Sequence, residues 1–322
     1  MTLEATPRLI TIGEMMMMIA PARAESLVTA QDVRLYAGGA ESNVACHVAH
    51  AGLSSAWVGV VGDDDLGHRI RRSIERHGVD TRWVTCDSAA ATGVYFKAPG
   101  NGVLYYRSGS AASRMSPATV ASIPLEDADV VHLSGITPAL SPSCAALVDK
   151  VFERVAASSA TLSFDVNYRP SLWPEGAAAS VLRTLASRAD IVFVGLDEAR
   201  ALWRCSTADD VRALLPEPGR LVVKDSDVGA TEFSAAGSVF EPAIPTEVLE
   251  AVGAGDAFAA GYLAALLRGD ATNDRLRAGH ERARLVLLSI SDFVAEPAST
   301  SASVGAVAPF ALTEPHQRKG PA

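Results

Sequence analysis

Cysteine is scarce in this chain, and what there is lies scattered. Cys46, Cys86, Cys144 and Cys205 form no C-x-x-C pair, which excludes a disulfide framework and a zinc site of the usual spacing. Buried free thiols in a reducing cytoplasm account for them. Positive charge is short as well. Lys and Arg number 28 against 37 Asp and Glu, a formal net charge of −9, so a nucleic-acid backbone would meet no basic face. One small anion in a local basic pocket is still compatible with that balance. No apolar run approaches the ~20 residues that cross a bilayer, and residues 1–7 lack the apolar stretch of a signal peptide. The Met-rich run at 15–19 is short and follows Gly13-Glu14, which fits a buried strand. A G-x-x-x-x-G-K-[ST] loop is missing too, so any nucleotide phosphates are held by a different device.

What is present is an ordinary globular composition, 48% apolar and 20% charged, over 322 residues. That length suffices for one large α/β domain or two smaller ones. Short apolar runs read as strands at 9–13, 56–61, 130–133, 162–166, 191–194 and 221–224. Between and after them, amphipathic helices are expected at 42–50, 66–77, 143–155, 177–188, 197–203, 254–267 and 273–289, with Gly52 and Gly78 as stop signals. This alternation predicts a mostly parallel sheet covered on both faces, with ligands at the carboxyl ends of its strands. Two stretches break the rhythm. Residues 28–36 and 92–107 read as strands without crossover helices, the second folded at Pro99-Gly100-Asn101-Gly102 into a hairpin. They predict a small β lid, with segments near 14–37 and 92–112, on a domain spanning 1–296. The Ala/Ser/Thr/Pro-rich segment 297–322 is expected to be a poorly ordered tail.

Chemistry concentrates in Gly253-Ala254-Gly255-Asp256. A turn of small residues enters a helix there, and first-turn amides with the helix dipole suit phosphate oxygens. Asp256 in that turn could take a proton from an attacking hydroxyl, or could merely cap the helix. Gly38-Gly39 before a helix start at Ser42-Asn43 is the second signal. It is either a tight strand-to-helix turn or a loop lying close against a ligand.

Gly38-Gly39-x-x-x-Asn43-x-Ala45 and Gly253-Ala-Gly-Asp256-Ala-Phe258-x-x-Gly261 resemble the two signatures of the ribokinase/PfkB carbohydrate kinases. The resemblance implies a ribokinase-like three-layer α/β sandwich with a β lid, and ATP and Mg2+ as cofactors; exposed lid strands pairing edge to edge between subunits would make a homo-oligomer. A narrower likeness to 2-keto-3-deoxygluconate kinases rests on Val103-Leu-Tyr105-Tyr106-Arg107, His132-Leu-Ser-Gly135 and Phe164-Asp165-Val-Asn167-Tyr168-Arg169. It implies ATP-dependent phosphorylation of that sugar acid at its terminal (6-) hydroxyl. By the same resemblance, Gly39, Asn43, Tyr95, Tyr105, Arg107, Asn167 and Arg169 surround the sugar, and Asp256 is the base beside the amides of Gly253, Ala254 and Gly255. Lys224, Ser226, Gly229 and His280, with Gly253 and Gly255, hold the nucleotide, and Glu198 is linked to Mg2+. Arg suits the acid end because its fork pairs bidentately with a carboxylate; one of Tyr105 and Tyr106 would only pack. The chain departs from the family at Ala251, where a Thr is usual, at Gly195, where an Asn is usual, and at Ser226, where a Gly is usual. Two other readings fit the same residues: a kinase of this fold for fructose or a related keto sugar acid, and a non-catalytic sugar-acid sensor.

Overall fold

A computed structural model describes residues 5–23, 25–98, 102–249 and 251–289. Its main sheet contains β1 (Leu9–Ile12), β4 (Ser55–Gly62), β5 (Val84–Asp87), β8 (Val130–Ser134), β9 (Thr161–Asp165), β10 (Ile191–Gly195), β11 (Arg220–Asp225), β12 (Gly229–Ser234) and β13 (Gly237–Pro242). The order across it is β13-β12-β11-β10-β9-β8-β1-β4-β5. Every pairing from β5 to β11 is parallel, while β12 and β13 add an antiparallel edge.

Strands buried on both faces must be apolar throughout, and here alternate residues serve opposite cores. Ile10, Val131, Val192 and Val194 join the layer of α3 (Pro142–Ala156), α4 (Ala177–Ala186), α5 (Leu196–Trp203) and α6 (Ala208–Leu214). Leu9, Val130, Ile191 and Phe193 join the layer of α1 (Ala40–His50), α7 (Ala254–Arg268) and α8 (Thr272–Leu287). The strongly amphipathic α2 (Asp65–Arg76) buries Ile70 and Ile74 near Trp57.

A second sheet, ordered β3-β2-β6-β7, contains β2 (Met16–Pro21), β3 (Val33–Gly38), β6 (Val94–Ala98) and β7 (Gly102–Tyr106). The methionine run is a buried strand whose side chains alternate: Met16 and Met18 cluster with Tyr95, Met15 and Met17 with Trp57 and Ile70. The strand expected from Val28 begins only at Val33, because Ser26 accepts the amides of Thr29 and Ala30 and closes a turn first. Of the cysteines, Cys46, Cys144 and Cys205 are buried as expected, whereas Cys86 is exposed. The 99–101 turn, Glu250 and the 297–322 segment lie outside the described residues.

Candidate active site

The carboxyl ends of β1, β8, β9, β10 and β11 open toward the second sheet, and α1 and α7 point their N-termini at the same space. The result is a cleft of about 850 Å³. Gly253 starts α7 with φ +87°, a left-handed conformation that glycine adopts without strain. No side chain caps that end, which leaves the first-turn amides to the cleft.

Asp256 occupies this first turn. Its Oδ2 accepts a hydrogen bond from Asn43 Nδ2 at 3.0 Å, and its Oδ1 one from Asn167 Nδ2 at 3.3 Å. Asn43 arrives on α1. Asn167 follows β9 at φ +39°, a backbone setting that Asn tolerates better than most residues. Burial pushes the Asp256 carboxyl up to about 6; the Asn43 bond and the nearby Arg169 and Lys224 charges oppose that shift.

Lys224, at the end of β11, puts its ammonium 2.9 Å from Asp165 Oδ2. Burial works against its charge, yet Asp165, Glu198 and Asp256 outweigh burial and raise its pKa. Asp165 also accepts the amide of Asn167 at 3.2 Å, so it shapes the turn as well as pairing Lys224. Both carboxylate oxygens of Glu198 accept backbone amides, from Tyr168 at 2.7 Å and Gly195 at 2.8 Å. Gly195 thus takes part through its backbone, where an Asn side chain is usual in the family. Glu198 is pushed up by burial and by Asp165.

All the residues singled out from the sequence line this one cleft: Gly39, Asn43, Tyr95, Tyr105, Arg107, Asn167 and Arg169 toward the lid, and Glu198, Lys224, Ser226, Gly229, Gly253, Ala254, Gly255 and His280 toward α7 and α8, with Asp256 in the same wall. Tyr106 does not line it; it is 64% exposed and packs edge-to-face on Phe96. Ser226 has φ +45°, which gives a physical reason for a glycine at that position in relatives. His280 stacks edge-on against Phe258 at 5.0 Å.

Among the lining residues given no role from the sequence are Glu14 and Glu41. Glu41 is fully buried, and one of its oxygens accepts Ser134 N, Ser134 Oγ and Thr137 Oγ1 at 3.2, 2.7 and 3.0 Å. Burial raises its pKa to about 7. Glu14 pairs with Arg107. Neither contact could be read locally, since the partners lie far away in the chain.

A family model described as pfkB family carbohydrate kinase matches residues 6–297. The chain belongs to that family. This carbohydrate kinase is 30% identical over 292 residues to a 2-dehydro-3-deoxygalactonokinase from Haloferax volcanii, across 87% of this chain and 91% of that one. It is 33% identical over 276 residues to a 2-dehydro-3-deoxygluconokinase from Thermoproteus tenax, across 83% and 84%. The crystal structure of a PfkB protein from a Polaromonas species superposes with a TM-score of 0.81 at 33% identity, over 87% of this kinase and 95% of that chain. A ribokinase II from E. coli, solved with ATP and Mg2+, shares the fold, with a TM-score of 0.82 at 23% identity over 89% and 94%. The fold is therefore the ribokinase-like α/β sandwich, and among the described residues no helix is long and apolar enough to cross a membrane.

The cleft's chemistry suits a nucleotide triphosphate with a divalent cation. The Gly255 and Asp256 amides, which no side chain among the described residues caps, and the Lys224 ammonium match phosphate oxygens, and the Asp165 and Glu198 carboxyl groups match a metal ion or its waters; the Ala254 amide instead donates to the Ala251 carbonyl.

Proposed function

We propose that this kinase transfers a phosphoryl group from ATP to the terminal (6-) hydroxyl of 2-keto-3-deoxygluconate. One observation carries the reading: Asp256, at the open N-terminus of α7, shares its cleft with Arg107 and Arg169, apart from Arg284 on α8. A base beside a phosphate-binding turn suits phosphorylation of an alcohol. Arginines in the same cleft suit an acid that a neutral hexose lacks.

ATP would supply the phosphoryl group, and Mg2+, held beside Asp165 and Glu198, would offset the charge of its phosphates. Asp256 accepts the proton of the attacking hydroxyl, while Asn43 and Asn167 fix the orientation of its carboxylate. The Gly255 and Asp256 amides and Lys224 stabilise charge on the transferring group. Glu198 holds the backbone at Gly195 and Tyr168 and would offer its remaining lone pairs to a metal ion or its waters. His280 and its Phe258 neighbour wall the nucleotide end. Arg107 and Arg169 grip the acid end and convert binding energy into positioning. The four free thiols fit a cytoplasmic setting, and two kinase chains associate through their lids.

The test is ADP release with a panel of keto sugar acids and neutral sugars, run on wild type and Arg169→Met. Arg169 is exposed, so the substitution spares the fold. Charge-assisted bonds are worth ~1.5–3 kcal/mol, so kcat/KM for the keto sugar acid should fall at least about tenfold, and that for fructose far less. Equal losses, or wild type that prefers fructose, would remove the acid-sugar assignment. Absence of ADP release with every sugar would favour the sensor.

A further inference from the structure

Glu14 has no part in the phosphoryl transfer, yet it is among the most deeply buried carboxylates of the cleft wall. It lies in the short connection between β1 and β2, where the chain leaves the main sheet for the lid. Its side chain is 1% exposed, and that of its partner Arg107 is 9% exposed. Glu14 Oε1 accepts the Ser110 hydroxyl at 2.9 Å, and Oε2 faces Arg107 Nη2. Gly93 leaves room for this carboxylate: a side-chain carbon there would sit 3.0 Å from Oε1. Arg107 in turn lies over the Tyr105 ring at 5.5 Å, and its buried Nε has no hydrogen-bond partner among the described residues. Arg169 is placed differently. It is exposed, forms no ion pair among the described residues, and donates only to the carbonyl of Tyr168, at 3.2 Å.

A guanidinium has five donors but a single charge. With Glu14 against it, Arg107 forms a nearly neutral buried pair. An arriving carboxylate finds free donors there, but Glu14 repels it about as strongly as Arg107 attracts it. Arg169 carries a charge with no such ion-pair partner among the described residues, although that charge also acts on Asp256.

We propose that Glu14 is a specificity-determining positioning residue: a built-in carboxylate that occupies one side of Arg107 and competes with the acid end of the substrate. The inference rests on the keto-sugar-acid reading above. Glu14 sets how tightly the acid is held, and Arg169 supplies most of the charge that holds it.

The experiment compares wild type, Glu14→Gln and Glu14→Asp. It measures calorimetric binding of 2-keto-3-deoxygluconate without nucleotide, and separate kcat and KM values for that acid and for fructose. Glu14→Gln keeps the shape and the Ser110 contact but removes the competing charge, so the buried guanidinium now needs an outside anion. Acid binding should tighten at least about fivefold and KM for the acid fall in step, with KM for fructose unchanged. Glu14→Asp keeps the charge and draws it back by one methylene. It should tighten acid binding in the same direction but less, and it carries the test if the Gln variant does not fold. A merely structural Glu14 would shift both substrates together. Wild type that prefers the acid, combined with variants that weaken or leave unchanged the acid-to-fructose ratio, would overturn this inference alone. Wild type that prefers fructose would overturn it together with the functional reading.

Discussion

Asp256 has to be ionised to accept a proton, and its surroundings make that costly. Burial lifts its carboxyl from 3.8 to about 6. Turnover should therefore rise with pH through about 6 and then level off, which a kcat–pH profile checks. Asp256→Asn keeps the shape and loses the base, so kcat should drop by ~10²–10⁴ with melting nearly unchanged; near-normal turnover would exclude the role. Glu41 is lifted further, from 4.5 to about 7. A carboxyl raised on folding stabilises the native state below its unfolded pKa and loses that contribution as pH rises through the folded value. Glu41's contribution to native stability should thus decline between about pH 4.5 and 7 while activity climbs, against the opposite trend from His77 and His132, whose native pKa values burial lowers to about 4. Glu41→Gln should flatten that decline, as read from melting curves over the same range. At this scale Asp256 and Asn43 were legible because glycine-rich helix starts announce them. Glu14 and Glu41 were not, because burial defines them. Each takes its partners from distant segments that only the fold brings near, Ser110 for one and Ser134 and Thr137 at and just beyond the end of β8 for the other.

Helix α7 shows how an element carries information that its periodicity does not. Gly261 belongs to the signature read from the sequence, but the reason for it lies in the neighbouring helix: a side-chain carbon at Gly261 would collide with the Ala278 carbonyl of α8. Gly279 answers from α8, where a side-chain carbon would lie 2.8 Å from the Phe258 ring. Close approach of the two backbones sets His280 and Leu287 along the cleft. Gly261→Ala should cost ~1–3 kcal/mol by overpacking, measured by urea unfolding, and should raise KM for ATP more than KM for the sugar. The parallel strands were legible as apolar runs because both their faces are covered. The β12–β13 hairpin was not, since its outer strand is half exposed and its residues mix polar with apolar. The start of β3 was misplaced because apolar Val28 lies within the turn closed by Ser26 and is 93% exposed.

The lid is where the whole molecule leaves apolar surface uncovered. Cross-strand register puts Leu35, Ile19, Phe96 and Leu104 in one row on one face, with Tyr106 beside them, while Tyr95 and Tyr105 point to the cleft. On that outer face Leu104 is 46% and Tyr106 64% exposed, and Val33 at the end of β3 is 50% exposed. A four-stranded sheet needs both faces covered to hold its shape: the cleft face will meet substrate, and on the other face Ile19 and Leu35 already pack on the Met17–Trp57 cluster while the exposed Leu104, Tyr106 and Val33 call for another apolar surface. A second copy of the chain offers the same row, and a twofold axis makes such a patch self-complementary. Wild type should accordingly sediment at twice the mass of one chain. Leu104→Arg places a charge in the middle of the row, which should shift sedimentation toward the single chain at equal concentration. Because Val103 and Tyr105 flank Leu104 and line the cleft, loosening the pair should also raise KM for the sugar while KM for ATP stays close to wild type. A wild type that sediments as one chain at every concentration tested would exclude lid pairing, and the outer face would then have to be stable as it stands.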